Sequence, residues 1–183
     1  MKKYLKDYLF LFSISGTIIL LDQLTKYLVR TNLDYGEMWS PWVWLEPYAR
    51  IWHWQNTWAA FGIFQGFNLV FSILAIVVSI AIIYFFPRIP EDDWTLRLAL
   101  ALELGGAVGN LIDRLRFGSV LDFVSVGSFA VFNVADACIS LGVVVMLWGV
   151  WRRERQSKST TKTGNAPVNQ SATEAGDPPL SED

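Results

Sequence analysis

The chain has 183 residues, 52% of them hydrophobic, with nine Trp and a formal net charge of −2. So apolar a composition is not that of a soluble domain of this size and fits a small helical membrane protein. A single Cys excludes an intrachain disulfide, and with only one His a His/Cys zinc site has no basis.

Residues 1–7 are a short basic lead carrying Lys2, Lys3 and Lys6. The apolar run 8–21 follows and continues as an amphipathic helix through Val29. A basic start before an apolar run also fits a signal peptide. Here, though, the run ends in Asp22-Gln23-Leu24-Thr25-Lys26 and lacks a small-residue cleavage pattern, so a retained first span is expected. Residues 31–65 form the longest polar-aromatic connection, with Trp39, Trp42, Trp44, Trp52, Trp54 and Trp58. Indole favours the headgroup level, which puts this segment along the interface. Within it, 50–55 alternates weakly as a short strand would, and 58–64 reads as a short surface helix. His53 lies among these aromatics and is expected to be packed or hydrogen-bonded, because no second His or Cys supports a catalytic role.

Residues 67–86 read as a second span, polar only at Asn68, Ser72 and Ser79. At about 1.5 Å per residue such a helix covers roughly 30 Å, the thickness of the hydrocarbon core. Pro87 and Pro90 stop it, and Glu91-Asp92-Asp93 makes a turn. A third span, 95–111, is richer in glycine. Its Ala101, Gly105 and Gly109 fall at i, i+4 and i+8, a stripe on which another helix can lie close. The fourth span, 132–151, ends in Arg152-Arg153-Glu154-Arg155. From about 156 the sequence is Ser, Thr, Asn, Pro and acid, the composition of a disordered tail. The expected organisation is a four-helix membrane domain over 1–155 and a disordered cytoplasmic tail over 156–183.

Basic residues mark the cytoplasmic side, and they flank both termini and the loop near Arg88 and Arg97, so both ends are expected inside. Arg114 and Arg116 then fall outside, against the rule. Span one delivers Asp22 and Lys26 to its outer end, and span three delivers Asn110, Asp113 and Arg114. Asp122 lies in the outer loop, Asp136 about one turn into span four, and Asn56 in the Trp-rich loop. Glu103 apart, every unusual polar residue converges at one level. Ionisable groups are expensive near a bilayer, so their convergence marks a functional site.

No serine or cysteine triad is available: His53 is unsupported, and Cys138 on span four is expected to pack as a buried, inert thiol. Paired carboxylates remain. Two close, partly desolvated aspartates share a proton, so that one can take a proton from water while the other polarises a carbonyl. Helix capping, or pairing with Arg114, Arg116 and Lys26, is the alternative for Asp113, Asp122 and Asp136. Three rival classes stay open from the residues alone: an ion-translocating protein, a noncatalytic lipid-binding protein, and a hydrolase holding a metal on Asp and Asn oxygens.

The set Asp22-Gln23-x-Thr25-Lys26, Asn56-x-x-Ala59-Ala60-Phe61, Gly105-Gly106-Ala107-x-Gly109-Asn110-x-x-Asp113-Arg114, Val120-x-Asp122-Phe123 and Phe132-Asn133-x-Ala135-Asp136 resembles the lipoprotein signal peptidase family, the type II signal peptidases. It covers nearly all of 5–153, in order. The resemblance implies an all-α integral membrane fold of four transmembrane helices, with a small extracytoplasmic β-cradle and a surface helix between the first two spans. It implies an aspartic endopeptidase of the bacterial cytoplasmic membrane, with its active site at the outer face. That enzyme would cleave prolipoproteins before the diacylglyceryl-modified cysteine and use no metal or other cofactor. Asp122 and Asp136 would be the catalytic dyad, and Asn56, Asn110 and Arg114 would hold the substrate backbone. Asp22, Lys26, Asp113 and Asn133 would support the site. Expected partners are diacylglyceryl-prolipoproteins and membrane lipids, with no nucleic acid, and the protein is expected to be monomeric.

Two positions depart from the family pattern. Trp58 stands where glycine is usual, two residues after Asn56, and its bulk is expected to alter the lid. Glu103 stands where an apolar residue is usual, and is expected to be hydrogen-bonded inside the bundle, since ionising it mid-span is costly.

Overall fold

The computed structural model describes residues 2–56 and 65–164. In chain order it contains α1 (Lys2–Asn32), β1 (Met38–Trp39), β2 (Ala49–Asn56), α2 (Gln65–Phe85) with a 3-10 turn at Phe86–Arg88, α3 (Trp94–Phe117), β3 (Val120–Val126) and α4 (Val134–Gly164). Among the described residues, four stretches are long and apolar enough to cross a membrane: Tyr4–Asn32, Asn68–Arg88, Trp94–Phe117 and Val134–Arg155. The first helix runs unbroken from the basic lead through the Asp22–Lys26 motif. The chain divides into two compact units, Met1–Gly149 and Val150–Asp183. The packing and the site described below lie in the first.

α3 is the central helix: 56% of its apolar window is buried, against 22% for α1 and 28% for α2. Its glycines explain why. A Cβ on Gly105 would lie 2.7 Å from Ile18 Cβ, one on Gly109 would lie 2.8 Å from Asp22 Oδ2, and one on Gly106 would lie 2.5 Å from the Ala135 carbonyl. The small-residue stripe is therefore where α1 crosses, and Gly106 admits the start of α4. α2 turns Ser72, Ala75, Ser79 and Ile82 inward and leaves Leu69, Val70, Ile73, Leu74, Val77 and Ile80 exposed. Small or polar inside and aliphatic outside is the pattern of a helix whose outer face meets lipid.

Asp93, expected as part of a turn, caps α3 by accepting a hydrogen bond from the Leu96 amide at 3.2 Å. At the same end, Arg97 pairs with buried Asp7 at 2.7 Å and packs over the Phe10 and Phe86 rings. Arg97 is thus a buried, neutralised cation and not a free topological signal.

Four boundaries differ from the sequence reading. α3 continues past 111 to Phe117, and Gly118 ends it in the left-handed conformation (φ 73°), its amide bonded to the Arg114 carbonyl. The polar residues Asn110, Asp113 and Arg114 lie in its last two turns, with Asp113 facing inward. Asp122 is not in a loop but on β3, and the sheet order is β1-β2-β3, antiparallel throughout. One strand of the cradle therefore comes from the α3–α4 connection rather than from between the first two spans. α4 continues to Gly164, beyond the expected start of the tail at 156, because no Pro or Gly lies between Gly149 and that glycine. The surface helix expected at 58–64, Trp58 included, and the tail from 165 lie outside the described residues.

Candidate active site

The site starts from the cap of α4. Asn133, fully buried, precedes the helix, and its side-chain oxygen accepts from the Asp136 amide at 2.9 Å. The Asp136 carboxylate in turn accepts from the Asn133 amide at 3.3 Å. This reciprocal arrangement is a capping box with Asp in the place of Glu. It satisfies two amides that would otherwise be unpaired and fixes the height of Asp136. Phe132, just before, exchanges backbone hydrogen bonds with Val124 at 2.8 and 3.0 Å, so α4 begins beside β3.

β3 brings the second carboxylate. Asp122 lies opposite Trp54 of β2, after a register shift between Ile51 and Trp54. One Asp122 oxygen accepts from the Asn133 side-chain amide at 2.7 Å, the other from Asn56 at 2.8 Å. Asp136 accepts from Asn110 at 2.8 Å. Asn133 thus touches both carboxylates, by its side chain and by its backbone.

Beneath the pair lies a buried ionic layer between α1 and α3. Lys26, with no exposed surface, meets Asp22 at 2.8 Å, Asp113 at 3.2 Å and the Asn110 side-chain oxygen Oδ1 at 3.0 Å, which occupies its three donors. Asp22 also accepts from the Ala135 amide at 3.0 Å and so ties α1 to the first turn of α4. Asp113 accepts from the Leu121 amide at 3.0 Å and pairs with Arg30 at 3.0 Å. It does not pair with its sequence neighbour Arg114, because adjacent helical residues do not face each other. Two members were not anticipated. Gln23 reaches Asp22, the Gly109 carbonyl and Asp113 at 3.1–3.4 Å, and Arg30 stacks at 4.0 Å on Phe117. Their placement one and eight residues after Asp22, on an otherwise apolar helix, was the available signal.

Of the nine residues expected at the site, eight are joined in one network of hydrogen bonds and ion pairs. Arg114 stands apart: it lies 5.6 Å above the Phe71 ring, within electrostatic reach of Asp136 and Asp122, and makes no hydrogen bond to a described residue. Glu103 differs from expectation. Its carboxyl packs beside Gly142 of α4 and takes no hydrogen bond from any described residue. His53 is 7% exposed, its Nδ1 2.8 Å from the Leu33 carbonyl, the packed role expected of it. Cys138 is half-buried on α4.

Burial, and then the charge of Asp136, push the Asp122 carboxyl up to about 6, while the Asn56 and Asn133 hydrogen bonds and Lys26 pull it the other way. Two carboxylates bridged by one asparagine, one of them holding its proton well above the ordinary range, can perform acid and base work together.

The model of the signal peptidase (SPase) II family matches residues 14–152. The lipoprotein signal peptidase of Moorella thermoacetica is 40% identical over 131 residues, covering 72% of this chain and 85% of its own length. That of Shouchella clausii is 38% identical over 146 residues, covering 79% and 95%. A solved bacterial membrane enzyme superposes with a TM-score of 0.69 at 30% identity, over 76% of this chain and 91% of its own. On these matches the chain belongs to the signal peptidase II family and is a multi-pass membrane aspartic endopeptidase.

Proposed function

We propose that this peptidase removes signal peptides from bacterial prolipoproteins, cutting before the diacylglyceryl-modified cysteine with water activated between Asp122 and Asp136. The observation that carries the reading is the double engagement of Asn133, which holds both carboxylates from one buried residue. The ionised member takes a proton from water as the oxygen attacks the scissile carbonyl. The protonated member donates to that carbonyl, and the proton taken from water then passes to the leaving amine. Arg114, a cation without a hydrogen bond to a described residue beside the dyad, holds a substrate carbonyl. Asn56 serves Asp122 and stands at the rim, where the substrate backbone passes; Asn110 acts through Asp136. Asp22, Lys26, Asp113 and Asn133 keep the two helices and the strand in register.

A lipid-modified substrate must be met at the membrane surface, and the site occupies the end of the bundle that carries the exposed residues Trp39, Trp42 and Trp44. We assign that end to the outer face, with both termini cytoplasmic and one copy of the chain sufficient. External labelling of Ser40→Cys but not Ser159→Cys, in a cysteine-free background, agrees with this orientation, and the reverse pattern rules it out. The function itself is tested by incubating purified protein with a diacylated prolipoprotein. A shorter product beginning at the modified cysteine is expected, and intact substrate after prolonged incubation with folded protein would sink the reading.

A further inference from the structure

Arg30 lies one turn beyond Lys26 on α1, and its guanidinium meets Asp113 at 3.0 Å while lying on the Phe117 ring at 4.0 Å. Its side chain is 21% exposed, whereas those of Asp113 and Lys26 are fully buried. It is therefore the one cation of the ionic layer that reaches the rim. Asp113 uses the same oxygen, Oδ2, for Arg30, Lys26 and the Leu121 amide. On the other side of that residue, the Leu121 carbonyl accepts from Asn133 at 3.3 Å. Both polar groups of Leu121 are thus held, and Leu121 is bonded directly to Asp122. The layer holds two anions, Asp22 and Asp113, and two cations, Lys26 and Arg30. Without Arg30 it carries a net negative charge beneath the dyad.

We infer that Arg30 is a positioning residue for this reaction: by fixing and neutralising Asp113, it sets where β3 presents Asp122 and how readily that carboxyl loses its proton. The inference rests on the Asp122–Asp136 reading of the mechanism. The charged groups facing Asp122 are Asp136 on α4, Lys26 on α1 and Arg114 on α3. Arg30 acts on it through Asp113. A cation–π contact with Phe117 alone would keep α1 and α3 together without touching the chemistry, so the two roles separate experimentally.

The test uses the full chain in proteoliposomes, with Arg30→Gln, Arg30→Lys, Phe117→Leu and Asp122→Asn compared on one diacylated prolipoprotein. Arg30→Gln is expected to lower kcat about tenfold with KM nearly unchanged, and to move the alkaline limb of kcat/KM to higher pH, because a layer with a surplus anion favours the protonated carboxyl. Arg30→Lys should return the limb to its original position. Phe117→Leu should lower the melting temperature without moving the limb. Should Arg30→Gln be folded with kcat and pH profile unchanged, or should its loss appear only in KM or follow the melting temperature as in Phe117→Leu, the assignment is overturned. An active Asp122→Asn would instead overturn the dyad, so the two failures are distinguishable.

Discussion

Asn133 donates its side-chain amide to Asp122 at 2.7 Å, across a turn that joins β3 to α4. The same residue caps α4 and exchanges hydrogen bonds with Asp136. Helix initiation and alignment of the dyad are therefore one structural event. Asn133→Ala removes a cap, worth about 1 kcal/mol, and strips one donor from Asp122 and one acceptor from the Asp136 amide. Turnover is expected to fall on the order of a hundredfold or more, the range associated with misplacing a general acid or base, while the protein stays folded. Parallel measurements of cleavage and thermal unfolding in detergent check this. A drop in melting temperature with unchanged turnover per folded molecule would mean that Asn133 only caps.

The pH dependence follows from Asp122. Burial and the charge of Asp136 keep its proton on up to about pH 6, so the free enzyme holds a proton at this position below that pH and loses it above. A dyad that must carry one proton works while the proton is present. The alkaline limb of kcat/KM, which reports the free enzyme, is therefore expected near pH 6. That of kcat should lie higher, because bound substrate displaces water from the site and favours the neutral form. Asn56 donates to the ionised form of Asp122, so Asn56→Ala should move the limb upward. A downward shift in a folded variant would contradict the sign of this argument.

The helical framework was legible because hydropathy, the Pro87 and Pro90 stops and the glycine stripe act locally. The site residues were legible because a bilayer makes polar residues conspicuous: Asp22, Lys26, Asn110 and Asp113 stand out in any apolar span. β3 was not. Its sequence, Val120–Val126, is apolar on both faces of Asp122, and only the bounding Gly118 and Gly127, both at positive φ, mark it as a strand between turns. Its pairing with β2 joins residues more than sixty apart in the chain, and nothing in a local pattern encodes that. Of the partners of Asp113, Lys26 was among those expected, and Arg30 was hidden for the same reason. Adjacency suggested Arg114, whereas helix geometry turns Asp113 toward Lys26 and Arg30 on another helix.

Close approach to α3 gives a prediction about packing. A methyl group at Gly106 would meet the Ala135 carbonyl at 2.5 Å, a backbone atom that cannot rotate away. One at Gly109 would meet Asp22 Oδ2 at 2.8 Å and the Ala135 Cβ at 3.4 Å. Gly106→Ala should therefore shift the start of α4 and with it Asp136, with an overpacking cost of roughly 1–3 kcal/mol. Gly109→Ala should displace Asp22 from the Ala135 amide. Both are expected to lose most activity and to melt earlier than the parent. Gly16→Ala is the control, because nothing lies within 4 Å of a Cβ built there. Equal behaviour of all three variants would show that the α1–α3–α4 contacts do not constrain the site.

The mechanism rests finally on the two carboxylates acting as one unit. Each accepts hydrogen bonds from asparagine amides at 2.7–2.8 Å, so the amide replacement keeps the shape while removing the group that gives or takes a proton. Asp122→Asn and Asp136→Asn should each abolish detectable cleavage. The double variant should be hardly worse than either single one, because groups that share a proton do not contribute additively. Asp113→Asn should behave differently. That residue touches Lys26, Arg30 and the Leu121 amide rather than the reacting atoms, and its loss leaves buried Lys26 and partly exposed Arg30 with one counterion fewer, a change that costs up to about 3–5 kcal/mol when a fully buried pair is broken. A lowered melting temperature with partial activity in the folded fraction is expected. Single-turnover cleavage and thermal unfolding of the four variants decide the matter. If Asp122→Asn keeps near-normal turnover while folded Asp113→Asn is inactive, the dyad is misassigned and Asp113 belongs in it.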